Sequence, residues 1–189
     1  MSSFNERQIF GPLAQWLEHP AHNRTVLGSS PRGPTILKER LILKVVKGSL
    51  VDLAKKGEFD VIVHGTNCFH WMGFGVSRRI KESYPSAYDE DLKTPKGDKT
   101  KLGTYSNSHV DNTTIVNAYI QYNYGLVGGS TVDLDALRKV FRKIALKFSG
   151  KKIGYEKLGI LIVNEGQWNK CYEIIKEELK GCDHTLVEY

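Results

Sequence analysis

The sequence predicts a three-layer α/β domain with a mostly parallel sheet. Two observations carry that prediction. Strand-like and helix-like segments alternate from Thr35 to the end of the 189-residue chain, the order that places helices on both faces of a parallel sheet. One segment, Phe59 to His64, is a near-continuous apolar run, as expected for a central parallel strand covered on both faces.

The first 35 residues do not share this pattern. Four of the six prolines, Pro12, Pro20, Pro31 and Pro34, lie there, and no sustained alternation is visible. Residues 1–35 are therefore expected to be a disordered or non-native extension, and residues 36–189 the folded domain. The run Gly11 to Pro34 resembles the conceptual translation of a tRNA gene lying in frame upstream of a coding region. A translation start near Leu37 to Leu43 is expected on that basis. No Met stands between Met1 and Met72, so this start would use a non-standard codon.

Ile36 to Val46 is rich in Ile, Leu and Val and reads as one or two strand pieces, and Gly48 to Lys55 as a turn into a short helix. After the apolar strand, a helix is expected from Gly75 to Ser83. It stops at Tyr84-Pro85 because proline disfavours helical backbone in the residue before it. A second short helix follows from Ser86 to Leu92, then a basic loop, Lys93 to Lys101. Gly103–Val110 and Thr113–Gln121 read as strands joined at Asp111-Asn112, a turn-forming pair. Asp133 to Phe148 has Leu134, Leu137, Phe141, Ile144 and Phe148 at helical spacing, with Arg138, Lys139, Arg142, Lys143 and Lys147 opposite as a solvated face. Ile153 to Val163 holds another strand. Trp168, Cys171, Ile174, Ile175 and Leu179 mark a last amphipathic helix closed by Gly181, and His184 to Tyr189 a final strand.

Composition bounds function only loosely. The net charge of +6, from 27 Lys and Arg against 21 Asp and Glu, suits an anionic ligand or nucleic acid. No apolar run of about 18 residues occurs, and no secretory signal is visible, so neither a membrane span nor a membrane partner is expected. Cys68, Cys171 and Cys182 have no metal-like spacing. They fit a reducing, cytoplasmic compartment, with Cys171 as a packed thiol. No metal or cofactor is expected, and the chain is expected to be a monomer. The absence of Gly-x-x-x-x-Gly-Lys-[Ser/Thr] argues against a nucleoside triphosphatase.

The chemistry concentrates in Val61-Ile-Val-His-Gly-Thr-Asn-Cys-Phe-His-Trp-Met-Gly-Phe-Gly-Val76. A strand ends in Asn67, a loop follows, and Gly73-Phe74-Gly75 opens a helix. Glycines let a diphosphate approach the backbone closely, and the helix N-terminus adds partial positive charge. The Asn67 amide can donate to and accept from ribose hydroxyls. His70 is the best titratable general-base candidate in this loop, and Glu165, on the opposing loop, the second.

This loop resembles the Asn-Cys-x-x-x-Met-Gly-x-Gly-[Ile/Val]-Ala loop of one macrodomain branch. That branch includes ADP-ribose-1''-phosphate phosphatase-like (Appr-1''-p processing) proteins, often encoded by phages, and ADP-ribosyl hydrolases. Two further segments agree in order: Tyr84 to Tyr105, and Ile115-Val-Asn-Ala-Tyr-Ile-Gln-Tyr-Asn-Tyr-Gly125. The resemblance covers roughly residues 41–189. It implies a three-layer α/β/α macrodomain with a mixed, mostly parallel central sheet that takes ADP-ribose or a derivative. By the same resemblance Asn67 contacts the distal ribose, Gly73, Gly75 and Val76 line the diphosphate, and Gln121 faces the pocket. Ser49 and Leu50 occupy the turn where the family holds the adenine amine with an acid or amide.

The chain departs from the family at four places, one of them Ile120, which stands where the family often has Thr. Ser49 replaces that acid or amide. Gly159 to Trp168 stands in place of a glycine-rich turn: either the strand continues and the loop shrinks to Asn164-Glu165-Gly166, or the local sequence is altered, with Asn164 as a candidate ligand contact. Gln121 stands near where lysine-using hydrolase relatives place their nucleophile. Three functions stay open at this point. One is hydrolysis of a phosphate or ADP-ribosyl linkage at the distal ribose, with His70, Asn67 and Glu165 as candidate catalytic residues. Another is sequestration of ADP-ribose or a related nucleotide without chemistry. The third is single-stranded nucleic-acid binding through Lys93–Lys101 and Tyr119, Tyr122 and Tyr124.

Overall fold

The computed structural model describes residues 44–124, 132–157 and 165–189; the side chain of Glu165 is not among the described parts. The expectations for residues 1–35, for the strand from Ile36 as far as residue 43, and for Gly159 to Asn164 fall outside the described residues.

The elements are β1 (Lys44–Lys47), α1 (Leu50–Lys55), β2 (Val61–Asn67), α2 (Gly75–Ser83), α3 (Pro85–Leu92), a 3-10 turn (Lys99–Lys101), β3 (Tyr105–Val110), β4 (Thr113–Gln121), α4 (Leu134–Lys147), β5 (Lys152–Glu156), α5 (Glu165–Glu178) and β6 (Asp183–Glu188). The six strands form one mixed sheet in the order β1-β6-β5-β2-β4-β3. All neighbours are parallel except the β3–β4 hairpin. β2 is buried at every position, as its apolar run requires.

Local chemistry sets the element ends. Pro85 opens α3 as its first helical residue, and Tyr84 before it leaves the helical region at φ −135°, ψ 70°, which separates α2 from α3. Asp133 caps α4, its carboxylate accepting from the Ala136 N–H at 2.8 Å. Asp111 takes φ 51° in the hairpin turn, a conformation that Asp tolerates better than most residues.

The two faces of the sheet are packed differently. On one, Val61, Val63, Val116, Ala118 and Ile120 pack with Leu137, Val140 and Phe141 of α4 and Cys171 and Ile175 of α5. On the other, Ile62 and Ile115 pack with Leu50, Ile80, Tyr84 and Ala87 of α1, α2 and α3. Leu134, expected on the apolar face of α4, is instead 37% exposed. It is the first helical residue and overhangs the edge of the packing, while Val140 takes a core place. The expected solvated face of α4 also carries cross-helix pairs. Arg138 Nη1 lies 2.7 Å from Glu177 of α5, and Arg142 Nη2 lies 3.0 Å from Glu178.

β2 and β5 lie side by side, yet the helices that follow them cover opposite faces. Open α/β sheets leave a ligand crevice at such a point, outside the carboxyl ends of the strands. Asn67 ends β2 and Glu156 ends β5.

Candidate functional site

On the β2 side the crevice is shaped by a self-closing loop. Asn67 Oδ1 accepts from the backbone N–H of Phe69 at 2.9 Å and of Trp71 at 3.3 Å, and Nδ2 donates to the Trp71 carbonyl at 2.8 Å. The side chain thus closes a tight turn on itself, as Asn does where it imitates backbone. Asn67 is 4% exposed, and one N–H of its amide has no partner in this turn. The β2–β4 register slips between Thr66 and Asn67, so that Asn67 lies opposite Gln121. Gln121, also buried, is brought to the same strand end as Asn67.

Beyond the turn, Gly73, Phe74 and Gly75 are exposed. A Cβ on Gly73 would stand 2.9 Å from the Trp71 ring, and Gly75 takes φ 56°. Both positions are therefore restricted to glycine, by crowding in one case and by backbone conformation in the other. The Trp71 ring stacks on Tyr124 with centroids 5.1 Å apart. Backbone N–H groups of the first turn of α2 have no helical partners, so Phe74 and Gly75 offer backbone donors beside the Trp71 ring, which packs against Gly73. Val76 is partly buried against the α1–α3 cluster.

His70 is placed otherwise than a general base in this crevice requires. At φ 61° it turns inward. Its Nε2 lies 3.2 Å from Thr94 Oγ1 and 4.0 Å from Asp91 Oδ1, and its side chain is 8% exposed. Burial lowers its pKa, with the Lys101 ammonium adding to this and the Asp91 carboxylate opposing it. The imidazole braces the loop from below, and that Nε2 is committed. Glu165 begins α5, with its side chain outside the described parts; Asn164 is outside the described residues altogether.

The expected nucleic-acid surface also loses members. Tyr119 is 1% exposed and Lys101 5% exposed. Lys101 Nζ donates to the Cys68 carbonyl at 3.3 Å and pairs with Asp91 at 3.5 Å, so it anchors the Asn67 loop to α3. Tyr119 donates its hydroxyl to Asp91 Oδ1 at 2.8 Å, and burial pushes its pKa up. Neither residue can meet a base or a phosphate.

On the opposite side of the crevice, Ser49 caps α1, its Oγ accepting from the Asp52 N–H at 3.3 Å. The Leu50 N–H donates to Glu156 Oε1 at 3.1 Å. Arg79 Nη2 of α2 donates to both oxygens of the same carboxylate, at 2.9 and 3.0 Å. Burial raises the Glu156 pKa, while the Leu50 N–H and the Arg79 guanidinium pull it down. Sequence reading did not single out Glu156 or Arg79. The available signal was position alone: Glu156 ends a strand at the same sheet edge as Asn67.

No protein-family model matches the chain. The comparisons with solved structures define the class. The macrodomain of Thermus aquaticus DarG is similar at TM-score 0.60, with 17% identity, over 78% of this chain and 98% of that one. Thermosipho africanus DarTG in complex with ADP-ribose is similar at TM-score 0.56, with 16% identity, over 79% of this chain and 43% of that one. The fold is the macrodomain fold. In sequence, an uncharacterized 17.5 kDa protein in the tk-vs intergenic region of Enterobacteria phage T4 is 45% identical over 67 residues, 35% of this chain. The match spans 42% of that phage protein's length. Among the described residues, no helix is long and apolar enough to cross a membrane, and no group of three or more His, Cys, Asp or Glu could hold a metal ion.

Proposed function

We propose that this chain recognises ADP-ribose or a close derivative in the crevice between the ends of β2 and β5. One observation carries the reading: the exposed Gly73-Phe74-Gly75 backbone at the start of α2, held open by the Asn67 turn. A diphosphate fits such a cradle. The distal ribose would lie toward Asn67 and Gln121, and the adenine toward Ser49 and Leu50. The solved relative that carries ADP-ribose supports the ligand class.

Binding is favoured over turnover. His70 and Lys101 are committed beneath the loop, and Gln121 cannot form a lysine-type sugar adduct. Hydrolysis at the distal ribose is the narrower proposal, with Glu165 as the base that would activate water and Asn164 as a neighbouring contact.

Calorimetric titration of the full chain with ADP-ribose tests recognition. Saturable 1:1 binding is expected, weakened about tenfold or more by Asn67→Ala, because the turn that presents the backbone donors would open. Absence of binding would reject the reading. Phosphate release from ADP-ribose-1''-phosphate, lost in Glu165→Gln, would establish the narrower proposal; binding without release would rule it out.

A further inference from the structure

The Ser49 turn lacks the acid that could accept a hydrogen bond from a base amine, but a carboxylate reaches the same turn from another strand. We infer that Glu156 is the specificity-determining acceptor for the exocyclic amine of the ligand's base, with the Ser49 hydroxyl as the donor beside it. This rests on the ADP-ribose reading above.

The geometry supplies each part. Glu156 ends β5 at the crevice and reaches Leu50, its side chain retaining 11% exposure. Its Oε1 accepts from the Leu50 N–H and from Arg79, whereas among the described residues Oε2 accepts from Arg79 alone. A carboxylate has about four acceptor sites, so Oε2 keeps capacity for one more donor. Ser49 Oγ already accepts from the Asp52 N–H, which leaves its O–H to donate. An acceptor next to a donor complements adenine, whose 6-amine donates and whose neighbouring ring nitrogen accepts. The Leu50 N–H, consumed by Glu156, is not offered to the ligand.

Arg79 Nη2 lies between the two carboxylate oxygens, at 2.9 and 3.0 Å, and with the Leu50 N–H it holds Glu156 in place at the end of β5. On the guanidinium lies the Tyr189 ring, 4.6 Å from Arg79 Cζ and on a residue 92% exposed. Its ring is a flat, solvent-facing surface on the same guanidinium that holds Glu156.

The experiment compares ADP-ribose with its analogue carrying hydrogen in place of the 6-amine, both titrated into the full chain. A site built around a donor rejects a ligand that lacks it. The wild-type chain is expected to prefer ADP-ribose by about tenfold or more. Glu156→Gln should reduce the ratio to about threefold or less, by weakening ADP-ribose and leaving the analogue nearly unchanged. Adding Ser49→Asp to Glu156→Gln should restore the preference. A purely structural clamp predicts equal weakening of both ligands, and that result overturns the inference. So does a wild-type ratio near unity, which requires no variant to fold. Wild-type failure to bind either ligand would instead defeat the underlying ADP-ribose reading, and the inference with it.

Discussion

The two faces of the sheet carry different chemistry at the same strands. Under α4 and α5, β2 and β4 present Val61, Val63, Val116, Ala118 and Ile120 to apolar helix faces. Under α2 and α3 the same strands present Ile62 and Ile115 at one end, then His64, Thr66, Asn117 and Tyr119 toward the crevice, all buried. There His64, Asn117 and Tyr119 are linked through Ser106. His64 Nε2 lies 2.6 Å from Asn117 Oδ1, Asn117 Nδ2 donates to Ser106 Oγ at 2.9 Å, and Ser106 Oγ lies 2.9 Å from the Tyr119 hydroxyl. Tyr119 then donates to Asp91, which pairs with Lys101. One face supplies cohesion. The other specifies where the loops that form the crevice must sit, because a buried polar group is stable only in the arrangement that satisfies it.

The largest expected effect lies on the apolar face. Phe141 is fully buried against Tyr155, ring centroids 6.1 Å apart. Phe141→Ala should cost about 4 kcal/mol of unfolding free energy, from lost burial and the cavity left behind. ADP-ribose affinity should be unchanged at temperatures where the variant is folded. Denaturant unfolding and calorimetry together measure both; a large loss of affinity with the fold intact would contradict the division between the faces.

Lys101→Met sharpens the comparison from the other face. It leaves the fully buried Asp91 without its cation, which should cost about 3 kcal/mol. It also removes a donor to the Cys68 carbonyl, leaving the Gly97 N–H as its donor among the described residues. Stability and ADP-ribose affinity should therefore fall together, unlike in Phe141→Ala. Pairing it with Asp91→Asn should recover part of the stability, since the unpaired charge is then gone. Loss of stability with undiminished affinity would show that the brace does not govern the crevice.

What the sequence revealed follows the same division. The apolar strand β2, the break at Tyr84-Pro85 and the Asp111 turn depend on short-range patterns, and each was legible. The inward turn of His70 was not, because a non-glycine residue at φ 61° leaves no sequence signature. Glu156 and Leu50 are 106 residues apart, and only the strand order brings them together. Asn67 lies between these cases. Its bonds to Phe69 and Trp71 are local and of a kind that Asn commonly makes, but in the sequence the residue reads equally well as a ligand contact.

The smallest effect is a pH dependence from the polar face. His64 Nδ1 lies 3.2 Å from Ser77 Oγ, and Nε2 donates to Asn117 Oδ1 at 2.6 Å. Burial lowers its pKa, against the raising influence of the Asn117 bond and the Asp91 charge. His70 and His184 are also lowered, each chiefly by burial. The unfolded chain, with histidines near pKa 6.5, therefore binds more protons than the folded one. Stability is fully present above about pH 6.5 and falls as the pH drops from there toward the folded-state values, by at most about 1.4 kcal/mol per pH unit for each histidine. Glu156, raised by burial, acts in the opposite sense, so the comparison with His64→Gln isolates the imidazole. The urea midpoint should be lower at pH 5.5 than at pH 7.5, and the difference smaller in His64→Gln. An equal difference in the variant would mean that His64 takes up its proton in the folded state as readily as in the unfolded one, and that the Asn117–Ser106–Tyr119 chain does not depend on its neutral form.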